Sequence, residues 1–549
     1  RRLAFGAVGK VFTADINGTA IGAPKRLTNS TTREFLPVFS PDGAWIAFAT
    51  WSDSTGGFLW KARADGSAAP VQLTRGAAFV SGIEWSPEGD RLIFTAQPRQ
   101  AGLGGGSVAQ IGDLRWVSAD GGESHIIVRT ASTPALVTAN TDGSGRIYYL
   151  DVIPNATPGF NATQMTGLYS VRYDGADKRT HARLTTLAGG GVDVRVAPDE
   201  RSLIVLDRDD LYALPLTAAG AEGLSLNFQS PAVPLRRMTV EGANYVAWAN
   251  GGRTIAWSFA NRYYHANAAA VLASADTTTW GITRTQVQLT APRDVPQGRV
   301  LLRGARIVTM KGDEVLSRGD ILIENNRIAQ VGSSVGAPAG TRIIDVSGKT
   351  IIPGIVDIHA HPKTGRELAQ EQEWSIASNL AYGVTTTRNP SGSRWNMAWN
   401  ELVETGDMLG SRIYATGFPL TSNNIPIKSY DDALHAVRRY KAQGVNSLKQ
   451  YLQPRRIQRQ WVLQAARAEG INATNEGAGD LKADITMAID GYTGLEHSIG
   501  QVPLFKDVVS VIADSKITYT PTLVVAYGGP AGDGYWRART DLEKDPKTA

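Results

Sequence analysis

The stretch Pro353-Gly354-Ile355-Val356-Asp357-Ile358-His359-Ala360-His361-Pro362 governs the reading of the second half of the chain. Its apolar centre reads as a short buried strand, and in a strand side chains two apart share a face. His359 and His361 therefore stand side by side at the strand's C-terminal end, where the sites of parallel α/β barrels lie. They are two of only seven histidines in the chain, so a chance pairing is a poor explanation. Two adjacent imidazoles are a metal-binding arrangement.

Downstream of this stretch, strand-like runs alternate with helical patterns. Strands are expected at 355–358, 383–386, 412–415, 447–449, 471–473, 494–496 and 519–522. Helices are expected from Ser429 to Gln443, opened by Ser and two Asp, and from Pro454 to Glu469, closed by Gly470. Such alternation builds a parallel sheet. The expectation is a (β/α)8 TIM barrel over 353–549, incomplete after its seventh strand, with an open doubly wound sheet as the alternative. Immediately upstream, 298–352 is expected to form a small β-sandwich segment, with a tight hairpin turn at Asn325-Asn326, where Asn tolerates the left-handed conformation. The Pro- and Gly-bearing stretch from Pro292 to Gly298 reads as a linker.

A different pattern fills residues 1–290. Phe39-Ser40-Pro41-Asp42-Gly43 is echoed by Trp85-Ser86-Pro87-Glu88-Gly89, and more loosely around Asp142-Gly143, Pro198-Asp199 and Gly251-Gly252. Each turn precedes a short alternating run, such as Trp45 to Phe48 or Arg91 to Phe94, and a further run ends in a second turn, as at Asp65-Gly66, Asp120-Gly121 and Asp174-Gly175. Several strands per repeat of this length mean propeller blades, about six of them with the first incomplete. The turns themselves are scaffold: Pro presets φ, Asp bonds its own backbone, and Gly accepts positive φ.

Composition narrows the function. With 549 residues, 42% hydrophobic and 19% charged, the chain is neither disordered nor fibrous, and it is long enough for several domains. Its 56 basic and 51 acidic residues leave a net charge of +5 without a run of basic residues, which argues against nucleic acid as a partner. No segment reaches the roughly 18–20 apolar residues of a membrane-spanning helix. Without cysteine, any metal must be held by His, carboxylate or a modified Lys. Starting at Arg1 without an initiator Met or signal-like segment, the chain is expected to be cut at both ends.

The motif around His359 and His361, preceded by the small sheet, resembles the amidohydrolase superfamily, imidazolonepropionase- and prolidase-like members among them, over residues 298–549. The N-terminal repeats resemble the β-propellers of TolB-like proteins. The first resemblance implies one or two divalent metals, zinc foremost, held by the His pair, by a carboxylated Lys on the fourth strand and by a His on the sixth. Lys449 and His497 occupy those positions. It also implies a catalytic Asp on an eighth strand, beyond residue 549, which leaves this chain inactive alone. The fifth strand departs from the family pattern, with Thr474 where a ligand His is expected. Glu476 lies two residues on, on the same face, and its carboxylate can ligate in place of the imidazole, or else hydrogen-bond or face the substrate. Arg388, ending the second strand, suits a substrate carboxylate or a salt bridge at the barrel rim. His435 reads as solvent-facing, Tyr263 and Tyr264 as packing residues, and Gly104 to Gly106 as a loop.

The function implied is metal-dependent hydrolysis of a C–N bond in an amide, cyclic amide or dipeptide, so that the substrate is a small molecule or peptide. The propeller would gate the substrate or bind a protein partner, and its resemblance implies a periplasmic or secreted location. Two other readings stand beside this one. In the first, a non-catalytic propeller-based binding protein carries a degenerate barrel, and in the second the same metals hydrolyse esters or phosphoesters.

Overall fold

The computed structural model describes residues 2–99, 112–129, 135–139, 145–153, 164–186, 192–216, 223–228, 231, 233–362, 368–393, 395–422, 425–477, 479–500 and 503–522. From Arg2–Ala7 to Thr283–Gln286 it consists of six successive sheets dominated by antiparallel pairs. In the first, only Arg2–Ala7 and Lys10–Asn17 are full strands, and both partners added to the latter are two residues long. The fourth gains a fifth strand, Leu224–Asn227, parallel to Arg179–Thr186. The first strand of each sheet packs against the first strand of the next. The turns follow their chemistry: Gly43 and Gly89 have φ of 70° and 73°, and Asp42 Oδ1 accepts from the Ala44 N–H at 3.0 Å. The third repeat's turn at Asp142-Gly143 and the glycines 104–106 lie outside the described residues. Tyr264 stacks on Trp257 at 5.4 Å, a packing role as expected.

Residues 287–298 carry no regular structure. Beyond them Arg299–Val308, Val315–Glu324, Arg327–Gly332, Arg342–Asp345 and Thr350–Ile351 form one five-stranded mixed sheet. The hairpin turn falls at Asn325, with φ of 56°. The expected sandwich is corrected here to a single sheet among the described residues. Its two faces carry small separate clusters, Leu301 with Leu322 and Val335, and Ala305 with Ile307 and Ile321.

The parallel part begins at Ile355–Asp357, which pairs with Val384–Asn389, and that strand pairs with Arg412–Ala415. A second parallel run orders Leu420–Thr421, Ser447–Tyr451, Asn472–Asn475, Gly494–Glu496 and Thr518–Thr520. All seven expected strand positions are thus occupied, the third continuing after a break at 416–419. Two of the intervening helices match closely. Tyr430–Ala442 opens with a Ser429/Asp432 capping box, and Arg456–Glu469 ends on left-handed Gly470. The core here is Leu448, Val462, Ala473, Leu495 and their neighbours. One expectation fails: the strand bearing the histidines is not buried. Ile355 and Val356 are 47% and 54% exposed, because among the described residues their strand has a paired neighbour on one side only.

Candidate metal centre

Five strand ends in this part deliver polar side chains to one place. His359 and His361 follow Ile355–Asp357, Arg388 and Asn389 end Val384–Asn389, and Lys449 lies in Ser447–Tyr451. Thr474 lies in Asn472–Asn475, just before Glu476, and Glu496 ends Gly494–Glu496, just before His497. The His359 ring centroid is 5.1 Å from that of His361 and 4.8 Å from that of His497. Sequence reading therefore selected residues that the fold brings together: His359, His361, Lys449, Glu476, His497 and Arg388.

Both paired imidazoles are oriented from behind. His359 Nδ1 donates to Glu496 Oε2 at 2.8 Å, and His361 Nδ1 donates to Asn389 Oδ1 at 3.1 Å. In a neutral ring this leaves the lone pair on Nε2, the ligating atom. Among the described residues His359 Nε2 is buried and has no hydrogen-bond partner. An acceptor nitrogen left in that condition fits a cation. Burial holds the His361 imidazole below its ordinary value, helped by the charges of His359 and Lys449 against the pull of the Asn389 bond. Neutral imidazole is the ligand form.

Glu496 was not selected from the sequence, yet it is 1% exposed and organises this side of the cluster. Burial raises its pKa, but the His359 hydrogen bond and the Arg388 charge outweigh that and hold the carboxyl near about 2. Arg388 donates to Glu496 Oε1 at 2.7 Å and to Thr474 Oγ1 at 2.9 Å. The guanidinium is thereby committed to an internal pair, and Thr474 serves as its acceptor. The signal that could have found Glu496 was its place beside His497 at a strand end, where a charged residue has no structural reason to be buried.

On the opposite side Lys449, 2% exposed, contacts Glu476 Oε2 through its Nζ. His497 Nε2 lies 3.1 Å from Glu476 Oε1, and its Nδ1 lies 2.5 Å from Thr522 Oγ1. Burial alone would raise Glu476, but the His497 hydrogen bond and the Lys449 charge bring it below the ordinary carboxylate value. The phenol of Tyr451 is pushed up by burial and by the Glu476 charge beside it. His497 has a φ of 67°, a conformation costing about 1–3 kcal/mol in a non-glycine residue. Its N–H is held by the Thr520 carbonyl at 2.9 Å. Among the described residues no three His, Asp or Glu groups already form a metal shell. The carboxylates are turned instead to Lys449, Arg388 and the histidines.

No family model matches the chain. A dihydroorotase of Geobacter metallireducens is 42% identical over 90 residues, 16% of this chain and 20% of that protein. One of Mycobacterium leprae is 36% identical over 87 residues, 16% and 19% of the two chains. The chain thus spans about a fifth of the length of these curated relatives. These matches support the amidohydrolase resemblance. Among solved structures, a prolidase complexed with N-methylphosphonate-L-proline is 18% identical with a TM-score of 0.37, over 43% of this chain and 70% of that one. A TolB of Agrobacterium tumefaciens is 12% identical with a TM-score of 0.32, over 44% and 79%.

Proposed function

We propose that the chain is a metal-dependent hydrolase of C–N bonds in amides, cyclic amides or dipeptides, with its centre on His359 and His361. One observation carries this reading: two neighbouring imidazoles have their Nδ1 atoms tied to Glu496 and Asn389, and the Nε2 of His359 is buried without a partner among the described residues. A divalent metal, zinc being suited to imidazole and carboxylate donors, supplies a bound water with a pKa near about 7 and polarisation of the scissile carbonyl. His359, His361 and Glu476 would hold it, with His497 beside them. Glu496 keeps the His359 ring in its tautomer, and Arg388 keeps Glu496 ionised.

Lys449 has two possible states here. As an ammonium it neutralises Glu476. Carboxylated, as the resemblance implies, it would set a second carboxylate against Glu476, and two carboxylates at contact need a cation to compensate them. The seven parallel strands are read as seven of the eight of a barrel over 353–549, with a sheet over 298–352 and a TolB-like propeller over 1–290 that gates substrate or binds a protein. Among the described residues no helix is long and apolar enough to cross a membrane. A periplasmic or secreted location accords with the propeller reading.

The rival, a non-catalytic binding protein, draws on the lack of a ready-made three-ligand group among the described residues. A screen of N-acyl amino acids, dipeptides and cyclic amides with the zinc-loaded protein separates the two. Turnover abolished by His361→Ala supports the hydrolase. Zinc binding without turnover of any C–N substrate supports the binding protein.

A further inference from the structure

We infer that Arg33, on the second N-terminal sheet, is a positioning residue for the metal centre, clamping the strap 368–373 that lies between the histidine strand and the strand bearing Asn389. Arg33 is 4% exposed. Its Nε donates to the Gln370 carbonyl at 3.3 Å, and its Nη2 donates to the carbonyls of Glu371 at 3.4 Å and Asp407 at 2.9 Å. These are backbone acceptors, so the guanidinium grips the path of the strap and not its side chains. Gly9 makes room for it, since a Cβ there would lie 2.8 Å from both Cδ and Nη1 of Arg33.

The strap is fastened twice more to the same region. Glu371 Oε2 accepts from the Asp53 N–H at 3.1 Å and from Ser52 Oγ at 3.3 Å. Asp53 Oδ2 in turn accepts from the Gln372 N–H at 3.1 Å. Ala369 joins the apolar cluster of Phe35, Trp51 and Phe79, while Val8 of the first sheet packs against the cluster of Leu368, Trp399 and Ile413. The strap thus belongs to the core of both halves.

From the strap the restraint runs to the centre along the chain. Gln372 pairs with the Leu409 backbone in both directions, at 2.7 and 3.1 Å. Glu373 caps the helix Trp374–Ala381. A short turn joins that helix to Val384–Asn389, whose last residue holds His361 at 3.1 Å. On its other side the strap begins seven residues after His361. A second arginine crosses the same boundary: Arg439 donates to Asp209 at 3.0 Å and to the Glu241 carbonyl at 2.6 Å. It does not touch the strap, and it serves as the control.

The part of this inference that concerns metal rests on the proposed function; the clamp does not. Backbone hydrogen exchange on the full chain reads the clamp, and the visible spectrum of bound Co2+ reads the centre. In Arg33→Met, residues 368–373 lose their protection and the Co2+ spectrum shifts, whereas Arg439→Met leaves the strap protected. Glu371→Ala, a milder change, gives a partial loss and stands in if Arg33→Met fails to fold. Unchanged strap exchange in the folded Arg33 and Glu371 variants overturns the inference, and so does an equal loss in Arg439→Met, which would mean general undocking. Absence of Co2+ binding to the unaltered protein would remove the metal reading and leave the exchange result to judge the clamp.

Discussion

Replacing Glu476 with Gln takes the counter-ion from Lys449, a side chain only 2% exposed. Removing one member of a buried ion pair costs about 3–5 kcal/mol, because the remaining charge stays desolvated and uncompensated. Glu476 is itself 14% exposed and the amide oxygen still accepts a hydrogen bond, so the lower end applies, about 3 kcal/mol. The double variant Lys449→Met/Glu476→Gln buries no orphan charge, and its expected cost is about 1 kcal/mol. The more heavily mutated protein is therefore the more stable one. In chelator-treated protein at neutral pH, hydrogen exchange of the amides in Ser447–Tyr451 reads this locally and avoids assuming one unfolding transition for the whole chain. A loss below about 1 kcal/mol in the single variant, or a double variant less stable than the single, would refute a buried Lys449–Glu476 pair.

Other expectations concern separate places. Glu496→Gln removes the carboxylate behind His359 and should weaken zinc binding by about 10–100-fold, measured by competition with a chromogenic chelator. Glu84 has its carboxyl pushed up to about 7 by burial, against Arg195 and with the help of Asp193. Between its ordinary value and about 7 the folded state holds the extra proton, so stability falls as pH rises through that window, and Glu84→Gln should flatten the fall in Tm between pH 5 and 8. Gly9→Ala combines a φ of 66° with a collision against Arg33 and should cost more than about 1 kcal/mol in thermal unfolding.

What could be read from sequence follows from the range of the forces involved. The Ser-Pro-Asp-Gly turns and the His359/His361 spacing are local: Gly43 needs its positive φ, and side chains two apart share a strand face whatever surrounds them. Lys449 and His497 were legible for another reason, since they occupy the positions that the amidohydrolase resemblance assigns to a Lys and a His. Glu496 escaped because its importance lies in partners 137 and 108 residues away, His359 and Arg388. Arg33 escaped in the same way, its acceptors lying more than 330 residues downstream. The exposure of Ile355 and Val356 contradicts the apolar pattern because pattern reports what a strand can bury, and the neighbours present decide what it does bury. The single sheet found where a sandwich was expected has a similar cause, since the alternation of Val300 to Val308 is the same with one layer or two.

The central claim is a metal held by His359 and His361, and elemental analysis after exhaustive dialysis tests it most directly. At least one zinc per chain in the unaltered protein, lost in the folded His359→Ala/His361→Ala variant, is the expected result. A folded protein that retains no metal, or one whose zinc survives the double substitution, would contradict it.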